Sequence, residues 1–186
     1  VKNHINDDYE FLLFCNNDIK ILNNVIYGML KIFKEKSKVG TVGARLHFED
    51  NTIQHDGVNI VMKQKTKSIE CYHLNSKSYY KYNLNESEVV GNTAGLMMIK
   101  KNIFIKNGYF DENFIHCFED VLLNLILVKN NYTNYCLGQC VAYHYESISR
   151  DIKNTQTEML RDYNKYILPF IKENFEKLKK YILIEN

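Results

Sequence analysis

The chain has 186 residues, 45% of them hydrophobic, and a formal net charge of +2. That supports one sizeable core and a single domain, and it excludes the basic footprint of a nucleic-acid binder, because Lys and Asn are abundant but dispersed. No apolar run approaches the ~20 residues needed to span a bilayer. No signal peptide is visible, although Val1 is not a natural start and leaves room for a preceding leader. The five cysteines form no paired framework and read as reduced thiols of a cytosolic protein. Cys136, Cys140 and His144 recur every four residues, with His116 and Cys117 upstream. They fall in a strand-like stretch rather than on the tight turn of a structural zinc site, so buried thiols are the better reading.

Tyr9 to Cys15 is short, apolar and aromatic and predicts a buried strand of a mostly parallel sheet, ended by polar Asn16-Asn17-Asp18. Leu22, Val25, Ile26, Met29 and Phe33 follow helical spacing, with Asn23 as N-cap. Gly40 to Leu46 predicts the next strand, Glu49-Asp50-Asn51 a turn, and Gly57 to Met62 another strand. Residues 63–88 are polar and weakly patterned and read as a long excursion over the active-site face. Val89 to Ile99 predicts a core strand, Lys101 to Asn107 a helix capped by Gly108, Glu119 to Asn130 a second helix, and Tyr132 to Tyr145 two short strands. In the tail, Met159, Tyr163, Tyr166, Ile167, Phe170, Ile171, Phe175, Leu178 and Ile182 form one helical stripe. Pro169 should kink or split it. The stripe must pack on the domain, on a second subunit or on a membrane surface. Strands alternating with helices give an α/β class.

Asn16-Asn17-Asp18 lies where a strand ends, the place where open α/β sheets bind ligands. A carboxylate there can hold Mn²⁺ or Mg²⁺ against a diphosphate, although Asn and Asp also dominate ordinary turns. Glu119-Asp120 opens a helix, where acidic residues complement the dipole and where a carboxylate can also serve as a general base. His144 is either a packed structural histidine or a metal ligand. Arg150, with Lys153, is either solvated or set against a leaving diphosphate. Gly91-Asn92-Thr93-Ala94-Gly95 allows close backbone approach, to a packed neighbour or to a sugar.

Four motifs in order, Cys15-Asn16-Asn17-Asp18, Gln54-His55-Asp56-Gly57, Phe118-Glu119-Asp120 and Ala142-Tyr143-His144-Tyr145-Glu146-Ser147, resemble the catalytic half of a family 2 glycosyltransferase of the GT-A fold. Gly108-Tyr109-Phe110-Asp111-Glu112 is similar to that family's Gly-Gly-Phe-Asp-Glu stretch, with Tyr109 in place of the second glycine. The resemblance covers Tyr9 to about Arg150. It implies a mixed, mostly parallel sheet flanked by helices, incomplete at its N-terminus, in a catalytic part over 1–152 with a helical extension over 153–186. The missing first strands would leave an exposed edge that invites pairing or a homodimer. The resemblance also implies an inverting, metal-dependent hexosyltransferase. Its donor is a nucleotide-diphosphate sugar, and its acceptor is a glycan or lipid-linked glycan of the cell envelope, in the cytoplasm or at the inner face of the membrane. Asp120 is the implied base and Glu119 its neighbour. Asp18 and His144 are the implied metal ligands, with Asn16 where the family's Asp-x-Asp places its first aspartate. Asn17, Arg150, Asn92, Thr93 and Ala94 are set near the donor. Leu122 departs from the acidic residue usual two positions beyond the base. Asn16 and Leu122 together favour the alternative of a non-catalytic GT-A-like interaction module, and a nucleotide-sugar hydrolase would use the same carboxylates.

Overall fold

The computed structural model describes residues 8–79, 84–115, 117–145 and 152–185, the last segment with side chains from residue 156 onward. In chain order the elements are β1 (Phe11–Cys15), β2 (Ile19–Ile21), α1 (Val25–Glu35), β3 (Val39–His47), β4 (Ile53–His55), β5 (Val58–Lys63), β6 (Ser68–His73), β7 (Glu86–Val89), β8 (Leu96–Lys100), α2 (Lys101–Lys106), α3 (Glu119–Lys129), β9 (Thr133–His144) and α4 (Ile152–Asp162). A π-helical stretch (Tyr163–Ile167), α5 (Leu168–Glu173), α6 (Phe175–Leu178), a 3₁₀ turn (Lys179–Tyr181) and β10 (Ile182–Glu185) complete the tail.

The larger sheet runs β1-β8-β3-β9-β2, with β4 beside β3 and β7 beside β9; β10-β5-β6 form a smaller sheet. Alternation along the strands divides the larger sheet into two faces. Val42, Ala44 and Leu46 of β3 and Leu96 and Met98 of β8 pack with Val25, Met29, Ile32 and Phe33 of α1. Met97 and Ile99 pack on the other face with Phe104 of α2 and Leu123 and Leu127 of α3. The opposite side of α3, through Val121, Leu125 and Val128, joins Ile60 of the smaller sheet and Ile167, Ile171, Leu178 and Tyr181 of the tail. α3 is therefore apolar almost all round because it is packed on two sides.

The α/β class with a mixed sheet and flanking helices holds, but four details of the reading change. Among the described residues of the larger sheet only the β3–β9 pairing is parallel, because β8 runs between β1 and β3 in the opposite sense and β2, β4 and β7 add antiparallel. β1 is an edge strand, half-buried rather than buried, with no strand beyond it among the described residues. Among its described residues the stretch 63–88 is more than an excursion: Ile69 and Cys71 alternate inward, and β6 pairs with β5 along its whole length. Tyr132 to Tyr145 contains one strand rather than two. Its register on β3 jumps from Ala44–Leu137 to Arg45–Val141, so residues 138–140 bulge out.

Asn23 clasps that bulge instead of capping α1. Its amide donates to the Gln139 carbonyl (2.7 Å) and accepts from the Val141 N–H (3.0 Å), while Asn24 occupies the N-cap position. Pro169 sits at the start of α5, just past the π-helical stretch. The buried members of the tail stripe are covered by the chain's own core, so they need no second subunit or membrane. Burying Ile167, Ile171 and Leu178 contributes about 1.5–3 kcal/mol each.

Gly57 ends the Gln54–Gly57 motif with φ +95°, and a Cβ there would stand 2.4 Å from the Val89 side chain. Gly57→Ala combines backbone strain with overpacking and is expected to cost roughly 2–4 kcal/mol, read as a lower urea midpoint at unchanged slope.

Candidate active site

Two backbone bonds fix the turn that follows β1. Asn16 N–H donates to the Gly95 carbonyl (2.9 Å), and Tyr145 N–H donates to the Asp18 carbonyl (3.0 Å). β2 then pairs with the end of β9, setting Ile19 opposite His144. These constraints bring three of the predicted residues together: His144 Nε2 lies 3.1 Å from Asp18 Oδ1 and 3.2 Å from Asn16 Nδ2. On the other side of the ring, His144 Nδ1 lies 2.7 Å from Gln54 Oε1. The Asp18 and His144 side chains are 21% and 14% exposed, and Asp18 Oδ1, the oxygen that faces the ring, is itself buried. Burial and the neighbouring Asp18 charge raise the thiol pKa of Cys15.

The donor set fits a divalent cation of the Mn²⁺ or Mg²⁺ type. Two ligands each about 2.1 Å from one octahedral ion stand about 3 Å apart, which is the spacing of Asp18 Oδ1 and His144 Nε2. No group of three or more His, Cys, Asp or Glu that could hold a metal occurs among the described residues. Asp18 and His144 would therefore be the strong protein ligands, with phosphate oxygens and water completing the shell, as is usual for these ions.

The second centre is the start of α3. Its N-cap, Phe118, is left-handed (φ +78°), a conformation that costs a non-glycine residue about 1–2 kcal/mol and persists only where surroundings impose it. Here the tail does so. The Phe118 ring packs on Tyr163 at 5.7 Å, Phe114 on Tyr166 at 5.0 Å, and the buried Asp162 carboxylate accepts from Ile115 N–H at 3.5 Å. Glu119 and Asp120 follow, both half-buried. Asp120 accepts from Ala94 N–H through Oδ2 (2.8 Å) and from Val121 N–H through Oδ1 (2.7 Å). Since Asn16 is bonded to Gly95 and Asp120 to Ala94, adjacent residues of one segment connect the two centres.

That segment rests on a buried polar network. Asn92 Nδ2 donates to Thr41 Oγ1 and to the Tyr135 carbonyl, both at 3.0 Å. Asn124 Oδ1 accepts from Thr41 Oγ1 (2.5 Å), and its Nδ2 donates to the carbonyls of Asn92 (3.0 Å) and Asp120 (2.7 Å). A Cβ on Gly91 would lie 2.6 Å from Asn124, so this glycine makes room for a packed neighbour. Asn92, 1% exposed, supports the site from beneath through these bonds. Thr93 and Ala94 are partly exposed and Asn17 is exposed at the turn. Arg150 lies outside the described residues, as does the side chain of Lys153. Tyr109, in place of the family's second glycine, keeps left-handed backbone at φ +68° beside Gly108 at φ +94°. A cavity of about 410 Å³ there is lined by Asn107 to Asn113 and by Leu122, Leu123 and Ile126. Neither Asp18, Asp120 nor His144 reaches it, so it is separate from the two carboxylate centres.

Sequence reasoning singled out Gln54-His55-Asp56-Gly57 but found no role for it. In the structure Gln54 holds His144, His55 Nδ1 lies 3.0 Å from His73 Nδ1, and Asp56 accepts from Asn75 Nδ2 at 2.8 Å. Burial, reinforced by His73, holds the His55 imidazole well below its usual pKa of 6.5, whereas burial raises the Asp56 carboxyl. Below pH 6.5 the unfolded chain therefore protonates at His55 and the folded chain does not. Stability from this group is complete above pH 6.5 and falls by about 1.4 kcal/mol per pH unit below it. Asp56 opposes this trend only nearer the carboxylate range. Melting curves from pH 8 to pH 5 should show the loss, and His55→Gln should flatten it.

No protein-family model matches the chain. Its fold is of the GT-A type. It is 30% identical over 146 residues to O-antigen biosynthesis protein RfbC of Myxococcus xanthus, covering 76% of this chain and 11% of that protein. It is 27% identical over 157 residues to the uncharacterized protein y4gI of Sinorhizobium fredii, covering 82% of this chain and 17% of that protein. The chain thus spans well under a fifth of the length of either relative. Among solved structures, GalNAc-T7 with UDP, GalNAc and Mn²⁺ superposes with a TM-score of 0.58 at 10% identity, over 91% of this chain and 35% of that one.

Proposed function

We propose that the chain is the catalytic part of an inverting family 2 glycosyltransferase. It would move a hexose from a nucleotide-diphosphate sugar to a hydroxyl of a surface-polysaccharide or lipid-linked glycan acceptor. The observation that carries this reading is the convergence of Asn16, Asp18 and His144, joined through Ala94 and Gly95 to Asp120. Asp120 takes the proton of the acceptor hydroxyl as its oxygen attacks the anomeric carbon from the face opposite the nucleotide. The new glycosidic bond forms while the bond to the diphosphate breaks, which inverts the centre without a covalent enzyme intermediate. A divalent cation, when bound by Asp18 and His144, would neutralise the departing diphosphate.

Glu119 flanks the acceptor side. Arg150 is proposed as a further cation for the leaving group, and Asn17, Thr93 and Ala94 as the residues nearest the donor. GalNAc-T7 was solved with UDP, GalNAc and Mn²⁺, the ligand classes this reading requires, and RfbC is named for O-antigen biosynthesis. A site of action in the cytoplasm or at the inner face of the membrane is part of this proposal; the described helices include none long and apolar enough to cross a membrane.

The test is product analysis with UDP-, dTDP- and GDP-sugars and Mn²⁺, with and without glycan acceptors. Acceptor-dependent release of nucleoside diphosphate with an inverted linkage supports the transferase. Equal release without acceptor favours a hydrolase, and no turnover by a longer form of the protein favours a non-catalytic module.

A further inference from the structure

Gln54 is 7% exposed and lies on β4, apart in sequence from every residue assigned above to cation or base. Its Oε1 stands 2.7 Å from His144 Nδ1. An amide oxygen only accepts, so the ring proton belongs on Nδ1. The other side of the ring agrees: Asn16 Nδ2, which only donates, lies 3.2 Å from Nε2 and requires a lone pair there. Two independent amides thus select the same tautomer, in which Nε2 carries the lone pair and lies 3.1 Å from Asp18 Oδ1. In that tautomer neither Nε2 nor Asp18 Oδ1 carries a proton, so both can offer an electron pair to one cation.

We propose that Gln54 is the positioning residue of a cation site, fixing the tautomer and rotation of His144 so that Nε2 and Asp18 Oδ1 face one divalent ion. This rests on the metal-dependent reading above and adds a residue that the reading does not contain. The fold supports the role. Gln54 is fixed by the β3–β4 pairing, Leu46 with His55 and His47 with Ile53, and the same two β3 residues pair with Ala142 and Tyr143 of β9. Gln54 and His144 are therefore held from one strand. Gln54 Nε2 is buried without a partner among the described residues, so the amide is aligned to serve Oε1 rather than to satisfy both of its ends.

Two measurements test this. Calorimetric titration of Mn²⁺ alone into the wild type, Gln54→Glu, Gln54→Leu and Asp18→Ala reads the site without catalysis. Losing the partner of a metal-bound histidine typically weakens binding by about 10–100-fold, so Gln54→Leu should show that loss. Gln54→Glu, whose carboxylate also accepts from Nδ1, should bind within about threefold of wild type, and Asp18→Ala should show no binding. Gln54→Leu binding like wild type, while Asp18→Ala does not bind, would overturn the role of Gln54 and leave the cation site standing. No binding by the wild type, with or without a nucleoside diphosphate, would overturn both. Long-range ¹H–¹⁵N spectra of histidine in the metal-free wild type, at mildly alkaline pH, need no variant to fold. They should show His144 protonated at Nδ1, and a proton on Nε2 would overturn the proposal.

Discussion

Asp120→Asn is expected to lower kcat about 10²–10⁴-fold, the usual contribution of a positioned general base. The amide can still accept from Ala94 N–H, where the Asp120 carboxylate now accepts at 2.8 Å, which keeps the tie to the 93–95 segment while the bond from Val121 N–H is given up. What it cannot do is take a proton from the acceptor hydroxyl. KM for the donor and the affinity for Mn²⁺ should therefore stay close to wild type, because Asn16 is tied to the segment through Gly95 and Asp120 through Ala94. Glu119→Gln serves as the comparison. If Glu119 only orients the acceptor, its loss falls on acceptor KM more than on kcat. A large kcat effect at Glu119 together with a small one at Asp120 would exchange the two roles.

The second large effect is on stability. Asn124→Leu removes one side chain that accepts from Thr41 Oγ1 and donates to two backbone carbonyls. Asn124 is fully buried, so the deserted groups find no water. Leaving buried polar groups unpaired costs about 1–3 kcal/mol each, and a total of roughly 3–5 kcal/mol is expected after local rearrangement. In a domain of this size that corresponds to a Tm lower by about 6–20 °C. Since one of the carbonyls belongs to Asp120, activity measured well below the new Tm should fall as well. A variant that melts like wild type would show that the network is not what supports the 92–95 segment.

Much of the fold was legible because hydrophobic spacing reports local structure. The apolar run before Asn16, the 3.6-residue spacing of Val25, Met29 and Phe33, and the acidic start of α3 each have one dominant local explanation. Pairing was less legible. Nothing between Tyr132 and Tyr145 announces that Asn23 fastens a bulge and keeps the chain in one strand. Ile69 and Cys71 are too sparse among polar neighbours to mark β6 as a strand. The last turn of the tail continues a helical pattern through Ile182, yet that residue begins β10, because Ile60 to Lys63 offer a free edge. Around the site, Asp18, Asn16 and His144 stood out by residue type and by family resemblance. Gln54 did not, since its role exists only once β3 brings β4 and β9 together. For Asn92 the converse holds: a polar residue among small ones reads like a ligand contact, while its hydrogen bonds to Thr41 and Tyr135 are visible only in three dimensions.

The most direct test of the central claim, that Asp18 and His144 form a cation-dependent diphosphate site, is a calorimetric titration of UDP, dTDP and GDP into this chain with and without Mn²⁺, with Asp18→Ala as control. Binding of at least one nucleotide that requires Mn²⁺ and disappears in Asp18→Ala is the expected result. Nucleotide binding that is indifferent to Mn²⁺ and to Asp18→Ala would contradict it.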